Sequence, residues 1–195
     1  MQKDLAKSEA RMPMYQKLRK EANDICIRKY DADDFIPFCN LYSKIFSEAP
    51  WCETWTKKRV RIEVNEYLKQ RDLNFLLAVL PHNSSERLIG FSVAYEVGSN
   101  YFTTRLATLL KSAQVPIIYG DELAVDGEFR NLGIGKRLMH MRFGAYTTRA
   151  IFVGRTDINS KMVLLYDSLG YTNTGVRDPE YNNRYYFIKR SQRVV

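Results

Sequence analysis

Ile117-Ile118-Tyr119-Gly120-Asp121-Glu122-Leu123-Ala124-Val125-Asp126-Gly127-Glu128-Phe129-Arg130-Asn131-Leu132-Gly133-Ile134-Gly135-Lys136-Arg137-Leu138 is the stretch on which the reading of this chain turns. It reads as a strand carrying two acids, a short turn, and an Arg-x-x-Gly-x-Gly loop running into an amphipathic helix. Glycines at a helix start make an anion site, because unpaired backbone N–H groups and the helix dipole face the same point. Arg130, Lys136 and Arg137 add positive charge there. The acids just upstream suit proton transfer.

Working outward, the helix after the loop is predicted over Gly133 to about Arg149, with Ile134, Leu138, Met141 and Ala145 on its buried stripe. A strand, Ala150 to Asp157, follows, then a helix from Ser160 to Leu169 stopped by Gly170. Two strands close the chain, Tyr171 to Val176 and Arg184 to Lys189. Upstream, Ile25 to Tyr30 reads as a first strand, and Asp31 to Asp34 cap a helix reaching Phe46. A second helix is expected from about Glu53 to Gln70, with Val60, Val64 and Leu68 on one face. Phe75 to Leu80 is apolar throughout and reads as a central strand. Pro81 to Ser85 is turn chemistry, and Arg87 to Val97 alternates as a half-buried strand does. Thr103 to Ala113 reads as a short helix between two strands. The order predicts a mixed α/β (α+β) domain, a central sheet of roughly six or seven strands flanked by helices.

With 195 residues, 45% hydrophobic and 27% charged, the chain has the makings of one globular domain with a sizeable core. Residues 1–24 are polar, broken by Pro13, and are read as a helical arm or a disordered extension ahead of a domain over 25–195. No basic-then-apolar leader is present, and no apolar run is long enough to span a bilayer, so the expectation is a cytoplasmic protein without membrane contact. Cys26, Cys39 and Cys52 have neither metal nor redox spacing and are read as buried free thiols. The net charge of +8 suits an anionic partner without choosing one. No motif that reads DNA or RNA is present, so no nucleic-acid partner is expected. His82 and His140 lack matched partners, which argues against a metal or a Ser-His-Asp site.

A dinucleotide fingerprint wants a small residue where Leu138 stands, and a Walker A loop wants Gly-Lys-Ser/Thr after a longer spacing. Neither fits. Arg130-x-x-Gly133-x-Gly135 instead resembles motif A of the Gcn5-related N-acetyltransferases (the GNAT superfamily). A second match is independent of the first: Asn159, Tyr166 and Gly170-Tyr171 resemble that family's Asn-x6-Tyr-x3-Gly-Phe/Tyr pattern. With the element order, the resemblance covers roughly Ile25 to Arg190.

The resemblance implies the GNAT acyl-CoA N-acyltransferase fold and transfer of an acetyl group from acetyl-CoA to an amine in a ternary complex, without a metal. It implies that the backbone of Leu123, Ala124 and Val125 pairs with the pantetheine arm. It also implies that Arg130, Asn131, Leu132, Gly133, Ile134, Gly135 and Lys136 cradle the pyrophosphate and that Asn159 contacts the coenzyme. It implies further that Tyr166 protonates or hydrogen-bonds the departing sulfur, a role that a neutral phenol suits. Asp121, four residues before Val125, stands where the polyamine-acetylating branch places its carboxylate. Tyr119 stands where histone-type members carry a glutamate, and it cannot serve as that base. Glu122, adjacent to Asp121, points to the opposite face of an unbroken strand, and a bulge would exchange the roles of those two acids. Asp121 ranks ahead of Glu122 as the base, with a water-mediated relay left open.

Ribosomal-protein N-terminal acetyltransferases carry a glutamate where Gly154 stands here, which argues against that substrate. Trp51 and Trp55, with Glu48 and Glu53, border the acceptor by analogy and would suit a cationic amine. Core tryptophans are the competing reading. A primary amine of a small molecule is the leading acceptor. A protein amine, a catalytically weak CoA-binding sensor, and a basic nucleic-acid-associated protein are the alternatives. A homodimer is left open.

Overall fold

The computed structural model describes residues 23–49, 51–82, 85–146 and 149–191. The predicted extension over residues 1–24 lies almost wholly outside them, as do Asn83 and Ser84 of the predicted turn. The elements follow the predicted order: strand β1 (Cys26–Lys29), a 3-10 turn at Ala32–Asp34, helix α1 (Phe35–Ser47), helix α2 (Lys57–Leu68), strands β2 (Arg71–His82) and β3 (Ser85–Val97). A 3-10 turn at Ser99–Tyr101, helix α3 (Arg105–Leu110), strand β4 (Ile117–Val125), a 3-10 turn at Gly127–Phe129 and helix α4 (Ile134–Gly144) come next. Strand β5 (Ile151–Asp157), helix α5 (Met162–Ser168), and strands β6 (Thr172–Arg177) and β7 (Arg184–Arg190) complete the chain. The seven strands form one mixed sheet in the order β1-β2-β3-β4-β5-β7-β6.

Two compact units are distinguishable. The first comprises residues 23–61, 76–91 and 124–138. Within it β1 runs antiparallel to β2, from Cys26↔Val79 to Lys29↔Leu76. Asp31 and Asp34 form a reciprocal capping box before α1, each side chain taking a backbone N–H that the helix start leaves unpaired. Seven residues of α1 are buried, and Phe38 and Tyr42 set their rings 4.9 and 5.6 Å from Phe91.

The second unit comprises residues 62–75, 92–123 and 139–191. There β5 pairs antiparallel with β7 along its whole length, and β7 with β6. The parallel pairing of β4 with β5 is short, from Ile117↔Ile151 to Gly120↔Gly154. Its core gathers Ala94, Ile118, Met139, Phe152, Tyr166, Leu169, Tyr171 and Phe187.

Several predicted faces are corrected. On α4 the buried residues are Ile134, Leu138, Met139 and Arg142, while Met141 is 49% exposed and Ala145 is exposed as well. The apolar count set the stripe one residue out of phase because a charged residue occupies the inner face. On α2, which starts four residues later than expected, Val60, Val64 and Tyr67 are buried and Leu68 is 55% exposed. β3 does not alternate: every residue from Ile89 to Tyr95 is buried, as in a strand covered on both faces. Of the cysteines only Cys39 is buried; Cys26 and Cys52 are exposed.

Candidate functional site

In the first unit, the loop after β4 is built around Asp126. Its buried carboxylate receives Lys44 Nζ at 2.9 Å on both oxygens and caps the following turn by accepting the Glu128 N–H. Arg87 approaches to 3.5 Å. Burial alone would raise this carboxyl; the Lys44 hydrogen bond and the Glu128 N–H outweigh it and hold it below its ordinary value. The loop is thereby fixed at its entrance.

Arg130 is fixed as well. Its Nε donates to the Val125 carbonyl and its terminal nitrogen to Glu48, each at 3.0 Å. Arg137 donates to the Ile25 carbonyl at 2.7 Å. Of the three cations read from the loop, two therefore brace the protein, and Lys136 is exposed. Asn131 and Gly133 take left-handed backbone (φ 65° and 81°), which turns successive N–H groups the same way. The first backbone donor with a described backbone partner after this turn is Arg137 N–H, bonded to Gly133 C=O at 3.0 Å. The N–H groups from Asn131 to Lys136 precede it, and nothing lies within 4 Å of the space a Gly133 side chain would take. Those residues could hold a diphosphate on backbone donors, as a nest at a helix start does.

In the second unit, β4 keeps its alternation through the two acids. Ile118 joins the core with Phe152 and Tyr166. Tyr119, on the other face, packs with Tyr95, Tyr101 and Phe102 at ring distances of 6.0, 5.4 and 5.7 Å. Asp121 follows Tyr119: its carboxylate accepts the Tyr95 hydroxyl at 2.9 Å, and Tyr95 and Tyr101 hydroxyls lie 3.3 Å apart. Burial pushes Asp121 above its ordinary value, against the Tyr95 hydrogen bond and the charges of Arg155 and Arg142. Glu122 belongs to the other neighbourhood, where its charge acts on Tyr166.

Tyr166 is 3% exposed, with its ring 4.5 Å from Tyr171 and 5.2 Å from Phe187. Burial pushes its phenol up to about 12, so it is neutral and a donor at pH 7. A side-chain carbon at Gly154 would overlap the Tyr166 hydroxyl. In this structure the Tyr166 hydroxyl occupies the space that a side chain at position 154 would enter. Gly154→Ala should cost about 1–3 kcal/mol by denaturant unfolding through overpacking; an unchanged midpoint would show that the hydroxyl moves aside freely.

Asn159 is exposed, its N–H bonded to Asp157 at 2.7 Å, in the turn that opens α5. Arg155 donates to Asp178 at 2.6 Å, and Tyr186 donates to the same carboxylate at 3.2 Å. Burial alone would raise Asp178, but Arg155 and the N–H groups of Glu180 and Tyr181 bring it below its ordinary value. Arg155 is therefore neutralised in place, and Asp121 is left as the acid of this aromatic group.

Trp55 donates its indole N–H to Glu53 at 2.8 Å, lies 4.9 Å from the Tyr42 ring, and carries the Arg59 guanidinium 4.3 Å above its own. Trp51 packs on Phe46 at 6.1 Å. Trp55 and Glu53 satisfy each other in a cluster on α1, the competing reading of that loop. Tyr95, Tyr101, Arg155, Asp178 and Arg142 escaped the sequence reading. Each stands alone in its own element, Tyr95 on β3, Tyr101 in the turn after it, Arg155 on β5 and Arg142 on α4, so no local pattern marked them. Among the described residues no three His, Cys, Asp or Glu side chains come together to hold a metal, and no helix is long and apolar enough to cross a membrane.

Residues 35–171 match the acetyltransferase (GNAT) family. Solved structures of similar fold include NAA60 of Arabidopsis thaliana with a bisubstrate analogue (18% identity, TM-score 0.65, covering 86% of this chain and 99% of that one). The ribosomal-protein-S18-alanine N-acetyltransferase of Escherichia coli aligns at 12% identity and TM-score 0.57, over 85% and 93%. The paia N-acetyltransferase of Thermoplasma acidophilum, solved with coenzyme A, aligns at 16% and 0.56, over 86% and 99%. No curated protein sequence matches the chain. Over seven-tenths of its length, through both motifs and the strand between the acids and the loop, this chain belongs to the acetyltransferase (GNAT) family, whose acetyl donor is acetyl-CoA.

Proposed function

We propose that the acceptor is a primary amine of a small molecule and that it attacks acetyl-CoA directly in a ternary complex. The observation that carries this is the aromatic group around Asp121. Tyr101 and Phe102, from the turn before α3, pack on Tyr119, and Tyr95 bonds the Asp121 carboxylate. An acid among tyrosine faces attracts an ammonium ion by charge and by cation–π contact. Its raised affinity for protons then suits it to accept one as the amine attacks. Placement of the acid and of Tyr166 on opposite sides of β4 gives the acceptor one face and the leaving sulfur the other. A phenol near 12 lies well above a thiol, about 8.5, so Tyr166 hydrogen-bonds the developing thiolate rather than surrendering its proton. Leu123, Ala124 and Val125 pair with the pantetheine arm, Arg130 to Lys136 receive the pyrophosphate on backbone N–H groups, and Asn159 contacts the coenzyme. The domain that does this spans residues 25–195.

Thiol release from acetyl-CoA across polyamines, aminoglycosides, amino acids and peptides tests the reading. Turnover with a small primary amine is expected. Turnover with peptides alone would make the chain a protein acetyltransferase, a class to which the Escherichia coli relative of similar fold belongs by name. Tight binding of acetyl-CoA with no turnover would make it a sensor. Gly135→Leu should weaken acetyl-CoA binding by about tenfold or more, because a side chain keeps phosphate oxygens away from the backbone donors. Unaltered affinity in a titration would remove the loop from this role.

A further inference from the structure

Arg142 lies in the interior of the second unit with 2% exposure. Its Nε donates to the Ser92 hydroxyl at 2.9 Å, and its terminal nitrogen to the carbonyls of Val93 at 3.3 Å and Glu122 at 2.5 Å. All three partners are neutral oxygens. Among the described residues no carboxylate comes within salt-bridge distance of it, so its positive charge stands unneutralised by contact. Its charge is nonetheless felt at Asp121 and at Tyr166. Room for it exists because position 120 is glycine: a side-chain carbon there would overlap the guanidinium. Ser92, a buried hydroxyl in an otherwise apolar strand interior, completes the fit.

A buried cation held by neutral groups is costly, and a hydrocarbon of similar volume would fill the same space more cheaply. The choice of Glu122 as a partner suggests what offsets that cost. A trans peptide points its N–H opposite to its C=O, so the bond to the Glu122 carbonyl sets the plane of the Glu122–Leu123 peptide. It aims the Leu123 N–H away from Arg142. Pairing of β4 with β5 has already ended at Gly120↔Gly154, so that N–H has no β5 partner. A charged donor on the carbonyl polarises the whole peptide and strengthens the N–H at its other end.

We propose that Arg142 is a positioning residue for acetyl transfer: acting through the Glu122–Leu123 peptide, it makes the Leu123 N–H a strong, fixed donor to the thioester carbonyl oxygen. This rests on the placement of acetyl-CoA along β4 proposed above. Negative charge grows on that oxygen as the amine adds, and a preorganised backbone donor stabilises it more than the ground-state carbonyl.

The probe is acetyl-CoA labelled with 13C at the thioester carbonyl, and the readout is the stretching band of that carbonyl when bound to the full chain. In the wild type the band is expected below that of free acetyl-CoA. In Gly120→Ala/Arg142→Met, where a methyl group and a thioether refill the space, it should return toward the free position, while the dissociation constant changes less than about threefold. Arg142→Gln keeps an amide donor without the charge and should give an intermediate band; it also serves if the double variant does not fold. A wild-type band position in whichever variant folds and binds overturns the proposal and leaves the acetyl-CoA site intact. A wild type that fails to bind acetyl-CoA overturns both.

Discussion

Tyr166→Phe is expected to lower kcat about 10²–10³-fold, the cost of one lost donor to a developing anion, while leaving acetyl-CoA affinity within a factor of about two. The substitution removes one oxygen from a ring held by Tyr171 and Phe187, so packing is preserved. The hydroxyl itself has no hydrogen-bond partner among the described residues, so no internal bond is broken. Stability should stay within about 0.5 kcal/mol of the wild type. Single-turnover kinetics with saturating acetyl-CoA isolate the chemical step. An unchanged rate there would take Tyr166 out of the reaction and leave it a core residue.

Asp121→Asn is expected to lower kcat/KM about 10²–10⁴-fold and to leave the chain as stable as the wild type or more so at pH 7. The sign follows from the carboxyl's raised position. A native value above the unfolded one means the folded chain holds its proton longer as pH rises. The stabilisation associated with the protonated acid is full below the unfolded value, near 4, and is lost as pH rises through the native value. Asparagine removes that loss and still accepts the Tyr95 hydroxyl. The wild-type kcat/KM should fall as pH drops through the raised value, and the variant should show no such limb. A variant that is both inactive and clearly less stable would mark Asp121 as a structural acid instead.

How much of this was legible in the sequence depended on range. The loop from Arg130 to Lys136 could be read because its determinants are local: glycine at 133 and a helix start at 134 are set by neighbouring dihedrals. Strand alternation sets Asp121 and Glu122 on opposite faces, and in the structure Asp121 accepts the Tyr95 hydroxyl while the Glu122 charge acts on Tyr166. Arg142 could not be read. Its burial depends on an absent side chain at position 120 and a hydroxyl at position 92, and a count of apolar residues along α4 placed it outside. Tyr119 lies beside Asp121 in sequence, but Tyr95 and Tyr101 reach it from β3 and the turn after it, 26 and 20 residues upstream of Asp121, and only the tertiary fold brings them there. Trp55 was ambiguous for the opposite reason: its partners, Glu53 and Arg59, are local, but whether those partners were already engaged was a matter of geometry.

The brevity of the β4–β5 pairing has a consequence for the life of the protein in the cell. Past Gly120↔Gly154 the second unit holds a row of strand backbone with no β5 neighbour, which resembles a sheet edge set in the middle of a sheet. On the proposed placement, the coenzyme's amide-bearing arm is the missing strand. The chain then depends on its own substrate for part of its integrity. At a coenzyme level one hundred times the dissociation constant, mass action adds about 2.7 kcal/mol to the folded state. Starvation for acetyl-CoA would not only idle such an enzyme but leave more of it open to proteolysis, so that its abundance follows the supply of the metabolite it spends.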